Sequence, residues 1–305
     1  MKKIIVLLMV IVVAATIFVA CDNGDKTPAE EDYTLAIGVV VTPNTATNKV
    51  DETVATIVTD SDGKIVLCRL DCVKYEAKYD DAGALVTTAP KSNVALGDNY
   101  GQMPAGTWAQ QGAALEKYVV GKTQAEVAGV VANGYAADAE LKASCSIAIS
   151  DLCKAIDNAF KSEHKASFTA SGALTAGLSA DSSVKDTTTE DGVKGVKLST
   201  TFASAVMEDG KVVAAILDTA EPELKEITEN GAASLAFGGS KRELGENYGA
   251  MPAGTWYVQA DAYVKAAIGL TADDVATLAS EGVAGCTIYA GGYKAAIESA
   301  VKAGR

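Results

Sequence analysis

Residues 96–108, LGDNYGQMPAGTW, are written a second time at 244–256 as LGENYGAMPAGTW, with eleven of thirteen positions identical. Identity at that density is the mark of a duplicated unit, and a chain built this way is expected to fold twice in the same manner. The correspondence extends in both directions. Asp62-Gly63-Lys64-Ile65-Val66 returns as Asp209-Gly210-Lys211-Val212-Val213 between apolar runs, which predicts a tight hairpin in each half. Ala143-Ser144-Cys145-Ser146 returns as Ala284-Gly285-Cys286-Thr287 ahead of a helix-like stretch. Function is to be sought in what both halves kept.

In the first half, residues 33–41, 55–59 and 64–74 are rich in β-branched side chains and bounded by turn residues, so they read as strands. A helix is expected over 108–120, with Thr107 as N-cap and Gly121 as its stop. Thr123 opens a second helix with Glu126 set for a capping box, and a third runs over 151–161 with Leu152, Ile156 and Phe160 in one stripe. The second half repeats the plan with strands at 200–207 and 211–218, helices at 256–268 and 272–279, and a last stripe of Tyr293, Ile297 and Val301. Residues 180–183 and 187–192 read as loops. Antiparallel strands followed by helices predict an α+β fold: two tandem repeated domains, each an antiparallel sheet with helices packed on it.

The N-terminus sets the compartment. Lys2 and Lys3 precede an apolar run ending at Ala20-Cys21, which reads as a secretory leader over residues 1–20 with Cys21 as the lipidation site of a bacterial lipoprotein. The run is shorter than the roughly 20 residues a membrane span needs. Residues 21–33 are polar and acidic, a tether expected to be disordered; the domains are then 34–165 and 166–305, with His164 a solvated residue at their junction. A formal net charge of −13 argues against nucleic acid as a partner. Once Cys21 is lipidated, Cys68, Cys72, Cys145, Cys153 and Cys286 remain, an odd number without metal-site spacing; a bridge among Cys68, Cys72 and Cys153 is open.

A hairpin with Asp-Gly-Lys, a Gly-containing block, a helix with an early Trp and a Gln, and a short motif before a terminal helix together resemble the FMN-binding domain family. Its members include flavinylated subunits of redox pumps and extracellular flavoprotein lipoproteins. The family motif is approximately D-x-x-[ST]-G-A-[ST], and its last hydroxyl is joined to the FMN phosphate by a separate flavin transferase. The corresponding segments here are Glu281-Gly282-Val283-Ala284-Gly285-Cys286-Thr287 and Glu140-Leu141-Lys142-Ala143-Ser144-Cys145-Ser146, with Glu for the Asp, Ala for the first hydroxyl residue and Cys for the Ala. The resemblance therefore implies Thr287 and Ser146 as acceptors, with Ser144 standing where Gly is usual and Cys286 and Cys145 beside the hydroxyls. Their place ahead of a helix would also favour a phosphate.

The same resemblance lays the repeated block beside the isoalloxazine ring. Gly97, Gly101, Gly245 and Gly249 would admit the backbone close to it, as would Gly106 and Gly254. Tyr100, Met103, Trp108, Tyr248, Met251 and Trp256 would offer stacking or thioether contact; Trp108 and Trp256 read equally as core anchors. No His base, catalytic carboxylate pair or P-loop recurs in both halves, so a redox carrier is favoured over an enzyme with its own substrate. The expectation is an extracytoplasmic electron carrier, anchored to the membrane through Cys21, binding FMN and fed by a membrane redox enzyme. The rival is a flavin-free surface lipoprotein that binds a small ligand or a protein.

Overall fold

The computed structural model describes residues 29–101, 103–249 and 251–305. The leader, Cys21 and the tether up to Pro28 lie outside the described residues. The architecture is mixed α+β with antiparallel sheets. The first sheet is formed by β1 (Glu31–Asn44), β2 (Lys49–Thr59), β3 (Ile65–Glu76) and β6 (Ala166–Ala170), in the order β3-β2-β1-β6. Between β3 and β6 the chain makes α1 (Asn93–Leu96), α2 (Trp108–Val119), α3 (Gln124–Ala128), the small β4–β5 hairpin (Val131–Ala132, Tyr135–Ala136), α4 (Ala139–Ser144) and α5 (Ser150–Lys161). The second sheet holds β7 (Leu174–Asp186), β8 (Gly195–Glu208), β9 (Lys211–Ala220), β10 (Glu223–Thr228) and β11 (Gly231–Ala236); its order is β11-β10-β8-β7, with β9 also paired to β8. Then follow α6 (Lys241–Leu244), α7 (Trp256–Lys265), α8 (Ala272–Val275) and α9 (Gly291–Lys302).

The two sheets lie face to face with helices on both outer surfaces. Alternation along each central strand explains the layering, because successive side chains leave a strand on opposite faces. In β2, Val50, Val54 and Val58 meet Val196, Leu198, Phe202 and Val206 of β8 in a core between the sheets. Ala55 and Ile57 turn the other way, onto α2 and α5, while Ala203, Ala205 and Met207 turn onto α7 and α9. Buried on both faces, these strands read as nearly continuous apolar runs.

Small residues let the last helices sit close. A Cβ at Gly38 of β1 would run into Ala155 O and Ala159 N of α5, and one at Gly177 of β7 into Ala300 O of α9. Asn158 Nδ2 donates to Val39 O at 2.7 Å and Ser179 Oγ to Ala296 O at 2.7 Å, fixing each helix to its strand. At the sheet edges arginines bridge the layers: Arg69 Nε donates to Ala176 O at 2.8 Å, and Arg242 donates to Leu217 O at 2.8 Å and Asp261 Oδ1 at 2.6 Å.

Several expectations change. Residues 180–183 are not a loop but part of β7, held by thirteen paired positions with β8; small polar side chains suit this edge strand, and Ser182 Oγ lies 3.0 Å from Thr200 Oγ1. The tether ends earlier than residue 33, because Glu31–Leu35 pair with β6 and Tyr33 stacks on Phe168. Strand β6 belongs to the second half by position and to the first half's sheet by pairing. His164 is no solvated linker residue: its ring stacks on Tyr257 at 4.0 Å and its carbonyl accepts from Arg242. No bridge joins Cys68, Cys72 and Cys153; all five described cysteines are free and buried. Burial raises the thiol pKa of Cys72 and Cys153 to about 12.

Candidate hydroxyl presentation site

The repeated block is seated by the third strand, in chain order, of each sheet, β3 and β9. Asp71 of β3 is buried, and its Oδ1 accepts from Cys72 N at 2.8 Å and Val94 N at 3.0 Å. Asp218 of β9 does the same for Thr219 N at 2.7 Å and Arg242 N at 3.0 Å. These carboxylates seat α1 and α6, whose N-caps are Ser92 and Ser240. Burial pushes both aspartates up to about 6, and the serine and backbone hydrogen bonds hold them from rising further.

Each block then turns tightly. Gly97, Gly101 and Gly106 have φ of 54°, 55° and 109°, and Gly245, Gly249 and Gly254 have 52°, 124° and 104°, a region open to glycine at little cost. The block ends where the helix begins. Thr107 and Gln110 form a reciprocal capping box at the start of α2, so the expected N-cap Thr107 gains Gln110 as its partner. Trp108 and Trp256 are 6% and 2% exposed; their rings fill the outer cores, and Trp256 Nε1 donates to Tyr293 OH at 3.0 Å. Tyr100, Met103, Tyr248 and Met251 are half-buried at the edge of those cores. Cys145 and Cys286 are buried, and burial raises both thiols.

One turn into each helix stands a fully buried glutamine. Gln111 Nε2 donates to Gly106 O at 2.8 Å, so Oε1 faces the opposite way. That oxygen accepts from Ser146 N at 2.7 Å, Ser146 Oγ at 3.0 Å and Ile147 N at 3.2 Å. Gln259 repeats the arrangement: Nε2 donates to Gly254 O at 3.0 Å, and Oε1 accepts from Thr287 N and Thr287 Oγ1, both at 2.8 Å. Ser146 and Thr287 are themselves exposed. The structure thus brings together the end of the block, a buried carboxamide and an exposed hydroxyl in each half.

The approaches to the two hydroxyls differ. Ser144 closes α4, whereas Gly285 stands in a turn at φ 80°. Neither hydroxyl adjoins a helix start as expected: α5 begins at Ser150 and α9 at Gly291, and the backbone N–H of Ser146 and Thr287 is already taken by glutamine. A phosphate there would rest on solvent and side chains rather than on free helix N–H groups.

Charge also differs between the halves. Lys241 is 8% exposed, with Nζ 2.9 Å from Glu221 Oε1 and above the rings of Tyr248 (4.9 Å) and Trp256 (5.6 Å). Burial works against its charge, but Tyr248 and Glu221 outweigh it and its pKa is raised. Where Lys241 follows the N-cap of α6, Asn93 follows that of α1, and its buried Nδ2 has no partner among the described residues. An open cavity of about 1170 Å³ lies elsewhere, between Thr47–Asn48, Glu76–Asp81, Gly192–Lys194 and Glu226–Glu229. Among the described residues, no cluster of His, Cys, Asp and Glu could hold a metal, and no helix is long and apolar enough to cross a membrane.

Comparison of the chain with protein-family models, with curated proteins and with solved structures gives no match.

Proposed function

We propose that this chain is an extracytoplasmic electron carrier, tethered to the bacterial membrane through lipidated Cys21. In this reading it is an internally duplicated protein whose two domains each carry one FMN joined through its phosphate, at Thr287 and at Ser146. The observation that carries the reading is the twinned arrangement of an exposed hydroxyl held by a buried glutamine. Fixed at its base and open outward, each hydroxyl is suited to a covalent attachment.

The residues fit the group at its anchor. Thr287 and Ser146 offer the hydroxyls, and the glutamines keep each within reach of the glycine-rich block. Tyr248 and Met251, with Tyr100 and Met103, are the half-buried side chains left to border a ring, since Trp108 and Trp256 are committed to the core. Bound FMN would supply one- and two-electron redox chemistry, and the protein would set its position and potential. Electrons would come from a membrane redox enzyme. A flavin transferase would install the cofactor.

The rival, a flavin-free surface lipoprotein that binds a small ligand or a protein, draws on the burial of both tryptophans, which removes the strongest stacking partners from the block. Co-expression with a bacterial flavin transferase separates the two. The carrier leaves the cells yellow, heavier by one or two FMN units, and Thr287→Val removes one of them. A colourless chain of unchanged mass sinks the carrier.

A further inference from the structure

Resting on that reading, we infer that Gln111 and Gln259 are positioning residues that select Ser146 and Thr287 for group transfer by holding each hydroxyl proton inward. Two features of the geometry lead there. The carboxamide cannot rotate freely, because Nε2 is held by Gly106 O or Gly254 O at 2.8 and 3.0 Å. Its oxygen therefore points at the hydroxyl and accepts O–H, leaving the lone pairs of Ser146 Oγ and Thr287 Oγ1 directed away from the protein. The same oxygen accepts the backbone N–H of that residue, so the main chain is fixed together with the side chain.

Glutamine holds the proton without removing it. The neighbouring thiols are no better as bases, since burial raises Cys145 and Cys286 and keeps them protonated. The base must come from the transferase. In the transfer a phosphoester bond forms between Oγ1 of Thr287 and the phosphorus of FMN. The bond joining that phosphorus to the leaving nucleotide of a flavin dinucleotide donor breaks, and the O–H turns about Cβ–Oγ1 away from Gln259 so that its proton passes to the base of the transferase, while the Thr287 N–H bond to Gln259 keeps the residue in place; no electron changes hands. The chain contributes orientation, which is where much of the gain in such reactions arises.

The two halves give the test an internal control. In chains co-expressed with the transferase, Gln259→Leu is expected to lower FMN at Thr287 at least tenfold while Ser146 keeps its label, and Gln111→Leu to do the reverse. Gln259→Glu, kept protonated by its burial and so able both to donate to Gly254 O and to accept from Thr287, retains the label. Incubation of wild-type protein with the dinucleotide alone leaves it unlabelled. Peptide mass spectrometry reads each site, and unchanged label at Thr287 in Gln259→Leu overturns the inference while leaving the carrier standing. Equal loss in the Leu and Glu variants overturns it too, since packing alone would then explain the effect, and so does labelling without the enzyme. A wild type unlabelled at both residues overturns the carrier reading and takes this inference with it.

Discussion

Glu52 shows how a single residue can set the pH response of the fold. It projects from β2 into the core between the sheets, fully buried, with neither carboxylate oxygen hydrogen-bonded among the described residues. Burial pushes its pKa up to about 8, and Thr200 opposite offsets only part of that. The folded chain therefore keeps a proton that the unfolded chain releases at ordinary carboxylate pH. Stability contributed by this group is full below about pH 4 and is lost as pH rises toward 8; Asp71 and Asp218, raised to about 6, act in the same direction at the lower end. Each tenfold change in proton affinity is worth about 1.4 kcal/mol. Glu52→Gln is thus expected to raise stability by ~2 kcal/mol or more at pH 9 and to change it little at pH 4, read from urea midpoints at the two pH values. The cysteines make a second residue-scale case. Buried, with raised pKa, the five described thiols should resist a maleimide in the native protein and react on unfolding. Rapid native labelling of any of them would contradict the buried assignment.

At the scale of elements, the approach of strand to helix decides what may be changed. Gly38 and Gly177 face α5 and α9 so closely that an added methyl meets helix backbone, which cannot move aside as a side chain could. Gly38→Ala and Gly177→Ala should each cost about 1–3 kcal/mol, whereas Gly292→Ala, in α9 with open space around it, should gain up to about 1 kcal/mol. Thermal melts of the three variants check the ordering. These glycines were visible in the sequence only as isolated glycines within apolar runs, a pattern that hints at close approach without saying to what. The hairpins, capping residues and terminal stripes were legible because they are local: the Thr123–Glu126 capping box and the buried Leu152, Ile156 and Ile297 lie where periodicity put them. Strand ends and β7 were not, since pairing with a neighbour, rather than side-chain apolarity, makes Ser182 or Lys49 part of a sheet. At the site, repetition revealed Ser146, Thr287 and the block. The link from Gln111 to Ser146 spans 35 positions and had no local signal.

For the whole molecule the dominant quantity is charge. A formal −13 surrounds any flavin held at an exposed hydroxyl, and a negative surround opposes the anionic reduced form, lowering the potential below that of free FMN. The effect is long-ranged, so salt should weaken it: the Debye length is about 10 Å at 0.1 M and about 3 Å at 1 M. A local term then separates the halves. The buried ammonium of Lys241 lies against Tyr248 and Trp256 in the second half, though Glu221 partly neutralises it, while in the first half Asn93 after the N-cap of α1 is neutral and Lys74, which reaches Tyr100, is far more exposed and paired with Asp51. On the proposed reading, a flavin at Thr287 should therefore sit at a higher potential than one at Ser146, which would give electrons a direction within one chain. Each can be measured alone, by spectroelectrochemical titration of flavinylated Ser146→Ala and Thr287→Val proteins at low and high salt. The expected pattern is two potentials below free FMN, the Thr287 flavin the higher, both rising with salt, and Lys241→Gln lowering only the Thr287 value. A potential above free FMN at low salt, or a Lys241→Gln effect equal at both sites, would remove the electrostatic account of how this chain would tune a bound flavin.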